Sequence, residues 1–194
     1  MHKTDETKLK ISNAAFKLIQ TQGFEATSVK QICEEADVAY RTFYFYFPNK
    51  ESVVSTFFSH TKLYNVEDFS QLMFLDGAWN KLWKAHSIYI EKQLELGPEL
   101  FAPFLISTIN YPETDENVQH DSFLEMLLPL IKYAQEQGEI SIKDDPTQIY
   151  FTCTQLISGL NYRWAVLKDK FEYLKEARKS LEVLYQVRDD LRMY

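Results

Sequence analysis

Apolar residues recur every three or four positions through almost the whole chain, the spacing that turns one side of a helix toward a core. No segment shows the two-residue alternation of a half-buried strand. Residues 8–22 form an amphipathic pattern through Ile11, Ala15, Leu18 and Ile19, and Gly23 is placed as a left-handed helix end with Phe24 folding back. Ser28 with Gln31 fits a capping box, so a second, short helix is predicted from Val29, with Val29, Ile32, Cys33 and Ala36 on its inner side. Asp37 sits where the chain must turn. In a third helix Val38, Phe43 and Phe47 point back onto the second, leaving Tyr40, Arg41, Thr42, Tyr44, Phe45 and Tyr46 to share the flank and the exposed face. Pro48 ends that helix and Asn49 caps the next, which runs from Lys50 to about residue 65 with Val53, Val54, Phe57 and Phe58 packed.

The remainder continues as helices. A loop is predicted over residues 67–77, then a helix whose Trp79, Leu82, Trp83, His86 and Ile90 share a stripe. Gly97-Pro98 opens an element over 100–109 that Pro103 should kink or restart, and 111–119 is a polar loop. A helix over 123–137 is interrupted by Pro129 and closed by Gly138. Asp145-Pro146 pairs an N-cap with a first-turn proline, and the helix it opens carries Ile149, Cys153, Leu156, Leu160, Trp164 and Leu167 in one stripe, with Gly159 beside it. From Phe171 a last helix bears Leu174, Ala177, Leu181, Leu184 and Leu191 in heptad-like order. Two such seams per subunit suit a four-helix interface across a two-fold axis, with Leu156, Leu160, Trp164, Leu174, Leu181 and Leu184 as its candidates. The alternative is that both stripes serve the intramolecular core.

The fold class is therefore all-α, with a three-helix N-terminal domain over residues 1–52 and a helical second domain over 53–194. At 194 residues and 45% hydrophobic content the chain can bury a full core. It has no apolar run of membrane-spanning length, and MHKTDETKLK is too charged for a secretory signal, which points to the cytoplasm and away from a membrane partner. Cys33 and Cys153 lack metal or redox spacing and read as buried thiols; His2, His60, His86 and His120 form no cluster. No metal or cofactor is expected. Five glycines, with no nucleophile–base pair and no phosphate loop, argue against an enzyme.

Residues 27–50, two short helices joined by a tight turn, have the layout of a helix-turn-helix DNA reader. Charge qualifies this. The chain is acidic overall at −7, but residues 1–52 hold seven Lys or Arg against seven Asp or Glu, so the excess negative charge lies beyond the reader. A neutral reader leans on a few placed contacts and on dimerisation.

The segment closely resembles the DNA-binding domain of the TetR family of bacterial regulators through Gly23-Phe24, Thr27, Ile32, Ala36, Val38, Thr42, Tyr44, Phe47, Lys50 and Glu51 in their joint spacing. Asp37 replaces the family's usual turn glycine, and Tyr46 its frequent histidine. The resemblance implies that Thr27 and Tyr44 position phosphates, that Lys50 meets a phosphate at a helix N-terminus, and that Arg41 and Thr42 face bases. Ser28, at the helix cap, and Tyr46, whose hydroxyl still reaches toward phosphate, complete the DNA-binding set. Tyr40 occupies a base-facing position, where an aromatic ring packs on a thymine methyl or lies along the backbone. Phe45 is open between a DNA-facing role and a satellite of the core. A weaker likeness extends through GEI, DP and LISGLNYRW toward the C-terminus.

The family's central helices enclose an effector pocket, and its members commonly act as repressors released from an operator. By that likeness the expected partners are double-stranded operator DNA, a second copy of the chain and a largely apolar small molecule. Trp83, His86, Phe104, Tyr111 and Met126 are the pocket candidates, against the reading that such aromatics are plain core and His86 a core histidine. The rival function is a helical protein-interaction adaptor that has lost DNA binding.

Overall fold

The computed structural model describes residues 3–54, 66–110 and 122–193. These form α1 (Lys3–Gln22), α2 (Val29–Glu35), α3 (Tyr40–Tyr46), a helical turn over 50–54, α4 (Val66–Met73), α5 (Ala78–Leu96), α6 (Phe101–Asn110), α7 (Ser122–Glu136), α8 (Pro146–Leu167) and α9 (Tyr173–Leu184). Among the described residues the only β pairing is one isolated antiparallel bridge, Ile140 with Val187. The expected extension of the residue-50 helix to 65 and the loop at 111–119 lie outside the described residues.

The chain forms two compact units, Met1–Thr61 with Glu99–Glu116, and Lys62–Pro98 with Asn117–Tyr194. A boundary at residue 52 thus assigns 99–116 to the second domain, whereas they group with the first unit. In that unit Ile11, Ala14 and Ala15 of α1 pack on Ile32, Cys33 and Ala36 and on Phe43 and Phe47. Leu100 shares a small apolar hollow with Ala15, Ile19, Val53 and Val54.

The second unit is built around α5, which packs on α4, α7 and α9, while α8 packs on α7 and α9. Its core takes Trp79, Leu82, His86 and Ile90 from α5, Leu127 and Ile131 from α7, Cys153 and Ile157 from α8, and Ala177, Leu181 and Tyr185 from α9 and its end. Glu139, in the turn after α7, accepts the Trp79 N–H at 2.6 Å, which satisfies an orphan donor in the first turn of α5.

Four expectations need correction. The loop predicted over 67–77 is mostly α4, held because its Leu72 buries against the α5 core. Pro103 does not break α6; it lies in the first turn, where no intrahelical bond needs its missing N–H. Pro129 likewise stays inside a continuous α7, on the exposed side, where water reaches the carbonyl it frees. The last helix also stops early. Gln186 adopts φ 50°, Val187 N–H bonds back to Glu182 O, and the chain leaves to pair Val187 with Ile140, so Leu191 falls in a separate 3₁₀ turn.

Candidate nucleic-acid interface

The reader is fixed by closed local hydrogen bonding. The Ser28 Oγ accepts from the Gln31 N–H at 3.3 Å while the Gln31 Oε1 accepts from the Ser28 N–H at 2.9 Å, the reciprocal box its sequence predicts. At the other end of α2, Asp37 takes φ 49°; its N–H reaches Glu34 O and the Val38 N–H reaches Cys33 O. This is a two-bond left-handed cap of the kind glycine most readily forms, and aspartate supports it at modest cost. The small Ala36, buried at this cap, lets α3 approach α2 closely.

Which side chains of α3 look outward follows from 100° of rotation per residue with Phe43 and Phe47 buried. Arg41 and Phe45, one turn apart, fall at the centre of the outward face. Tyr40 and Tyr44 flank them on one side, with ring centroids 6.2 Å apart. Thr42 and Tyr46 are half-buried on the other side, Tyr46 packed against the core. Phe45 is 76% exposed, which settles its open role against a core satellite.

Two residues that the family likeness places on phosphates, Thr27 and Lys50, are engaged internally, and so is Ser28 of the DNA-binding set. Thr27 is only 1% exposed, and its hydroxyl donates to Gly23 O at 2.8 Å while accepting from Gln22 Nε2 at 3.3 Å; it locks the turn between α1 and α2. Lys50 donates from Nζ to Phe24 O at 2.7 Å and Thr27 O at 2.9 Å, with its ammonium 4.0 Å from the centroid of the Phe24 ring. It ties the same turn from the other side. Ser28 is exposed, but its hydroxyl is held within the capping box. The cations nearby are paired as well: Lys17 meets Glu35 at 2.6 Å and Lys30 lies 3.9 Å from Glu34. Among the described residues no carboxylate stands within salt-bridge distance of Arg41, so α3 presents one unneutralised charge among aromatic rings.

The pocket candidates are divided between the two units. His86 and Met126 are buried in the second unit, Trp83 is half-buried there, Phe104 belongs to the first unit, and Tyr111 lies outside the described residues. His86 reads as a core histidine: its Nε2 pairs with the Tyr185 hydroxyl at 2.9 Å, and burial holds its pKa down to about 3. Cys153 Sγ lies 3.2 Å from the same hydroxyl, and burial pushes its thiol up to about 12, so it is an inert structural thiol. The Arg178 guanidinium lies 4.9 Å from the Trp79 and Trp83 rings and bonds Glu182 at 2.6 Å, filling the space over both indoles.

The seam candidates face inward. Leu160, Trp164 and Leu181 are buried and Leu156, Leu174 and Leu184 are half-buried against the same core, so this stripe joins α8 to α9 within one chain. The outward face of α8 is instead Phe151, Gln155, Ser158, Tyr162 and Val166, at spacings of four, three, four and four. That period is present in the sequence; its polar members hid it beside the more apolar stripe.

Residues 11–56 match the family model of bacterial regulatory proteins, tetR family. A search of curated proteins finds no match. Among solved structures, Thermus thermophilus FadR, a TetR family transcriptional repressor in complex with lauroyl-CoA, superposes with TM-score 0.69 at 21% identity, covering 91% of this chain and 92% of that one. A TetR family regulator from Cytophaga hutchinsonii gives 0.61 at 21% identity over 97% and 98%, and a transcriptional regulator from Saccharomonospora viridis in complex with choline gives 0.61 at 16% over 94% and 96%. At these identities the likeness speaks for the fold; the helix-turn-helix match speaks for the function. Together they give residues 11–56 the DNA-binding domain of the tetR family of bacterial regulatory proteins and the whole chain a fold shared with TetR family regulators, and they make it a DNA-binding regulator of transcription.

Proposed function

We propose that the protein is a dimeric repressor whose α3 helices enter successive major grooves of an operator, and that an apolar small molecule held by the second unit releases it. The observation that carries this reading is the outward face of α3, with Arg41 and Phe45 at its centre, packed through a buried inner side on α2, whose two ends are both capped. Base contacts need side chains held to within a fraction of an ångström, and a rigid mount supplies that. Tyr40, Arg41, Tyr44 and Phe45 form the reading set, with Thr42 and Tyr46 at its edge.

Dimerisation is assigned to the outward face of α8. Phe151, Tyr162 and Val166 are exposed there, and a Cβ at Gly159 would meet nothing within 4 Å, which leaves room for a second helix to approach. Two readers on one two-fold axis match half-sites ~34 Å apart. The reader and the effector body are linked by chain crossings after residues 61, 98 and 116. An effector then acts by the difference in its affinity for the DNA-matched and unmatched spacings.

The relatives hold lauroyl-CoA in one case and choline in another. The apolar class is favoured here, since Arg178 already occupies the space over Trp79 and Trp83 that a quaternary ammonium would seek, and His86 stays neutral at physiological pH. Arg41→Ala tests the reading. It should weaken the selected operator by roughly 1–3 kcal/mol and relax preference at one base position. Equal loss on operator and random duplex would remove Arg41 from the base-facing set, and no retardation of any duplex at low salt would favour an adaptor.

A further inference from the structure

We infer that Phe45 reads the 5-methyl group of a thymine, so that each half-site carries a thymine one or two base pairs from the base pair that Arg41 contacts. This rests on the reading of α3 as the recognition helix. Phe45 shares the centre of the outward face with Arg41 and is the most exposed large apolar side chain of the first unit's helix pair, at 76%. A phenyl ring has no donor or acceptor, so it discriminates nothing on the hydrogen-bonding edge of a base. In the major groove the one apolar feature that distinguishes base pairs is the thymine methyl.

The surroundings aim the ring. It stands edge-to-face against Tyr46 at 5.0 Å and 90°, and Tyr46 is itself packed on the core, so Phe45 is braced on one side and bare on the other. Arg41 and Phe45 are separated by one helical turn, ~5.4 Å along the axis. Stacked base pairs are ~3.4 Å apart, so two side chains on that spacing meet base pairs one or two steps apart. A largely exposed phenyl in the free protein gains from burial against a methyl, which adds apolar contact where the neutral reader has little electrostatic attraction to draw on.

The operator is obtained by selection from random duplexes with the full-length protein. Each of its thymines is then replaced in turn by deoxyuridine, which lacks only the methyl, and Kd is read by fluorescence anisotropy. Replacement at one position per half-site should weaken binding roughly 3–5-fold, with other positions unaffected. Phe45→Ala should bind thymine and deoxyuridine duplexes equally, and Phe45→Leu should restore part of the difference. Wild-type protein indifferent to every replacement, or a thymine preference that survives in Phe45→Ala, overturns the inference while leaving DNA binding intact. Failure to select any duplex overturns the DNA-reading assignment and this inference with it.

Discussion

Lys50→Met separates two roles for one residue. The family likeness puts the Lys50 ammonium on a DNA phosphate, whereas the fold turns it onto Phe24 O and Thr27 O and over the Phe24 ring. Methionine keeps most of the aliphatic stem and removes only the charge and its donors. A hydrogen bond from a charged group contributes ~1.5–3 kcal/mol and a cation–π contact ~0.5–1 kcal/mol. The site is half-buried, so water re-solvates the two carbonyls and recovers part of this, leaving a net loss of about 2 kcal/mol. For a chain of this size each kcal/mol moves Tm by ~2–4 °C, so melting followed by circular dichroism should fall by about 4–8 °C. Measured where the variant is folded, the salt dependence of operator binding should keep its wild-type slope. Unchanged stability with a slope lowered by about one would refute the internal role and return Lys50 to a phosphate.

His86 makes stability pH-dependent in a definite direction. Its folded pKa of about 3 lies below its ordinary 6.5, so between those values the unfolded chain binds the proton; stability is complete above about pH 6.5 and falls as pH drops toward 3. At pH 5 the loss relative to pH 7 is roughly 2 kcal/mol at ~1.4 kcal/mol per pH unit, and urea titrations of His86→Gln should lack that part of the slope; an equal slope in the variant would contradict it. Tyr162→Glu, on the outward face of α8, should give folded monomers by sedimentation and abolish operator binding, and a surviving dimer would place the interface elsewhere. Leu181→Ala, at a position with 0% exposure, should instead cost ~2–5 kcal/mol in urea unfolding; a smaller loss accompanied by dissociation would restore Leu181 to the seam between subunits.

Much of this protein is legible one helix at a time. Capping at Ser28, Asp145 and Gly138, the apolar period of α1, α5 and α8, and the breaker at Pro48 depend on interactions within about one turn of chain, and short-range chemistry settles them wherever the segment ends up. The outward set on α3 is of the same kind, because two buried phenylalanines orient a seven-residue helix completely. Long-range neighbours decided the rest. Whether Lys50 meets phosphate or backbone depends on carbonyls more than twenty residues earlier, and whether Leu160 and Leu181 pair between chains or within one depends on which side of α8 the other helices cover. Periodicity states that a face is apolar but not what buries it, since burial energy is non-directional and any apolar partner satisfies it; only the folded arrangement of α5, α7, α8 and α9 names the partner.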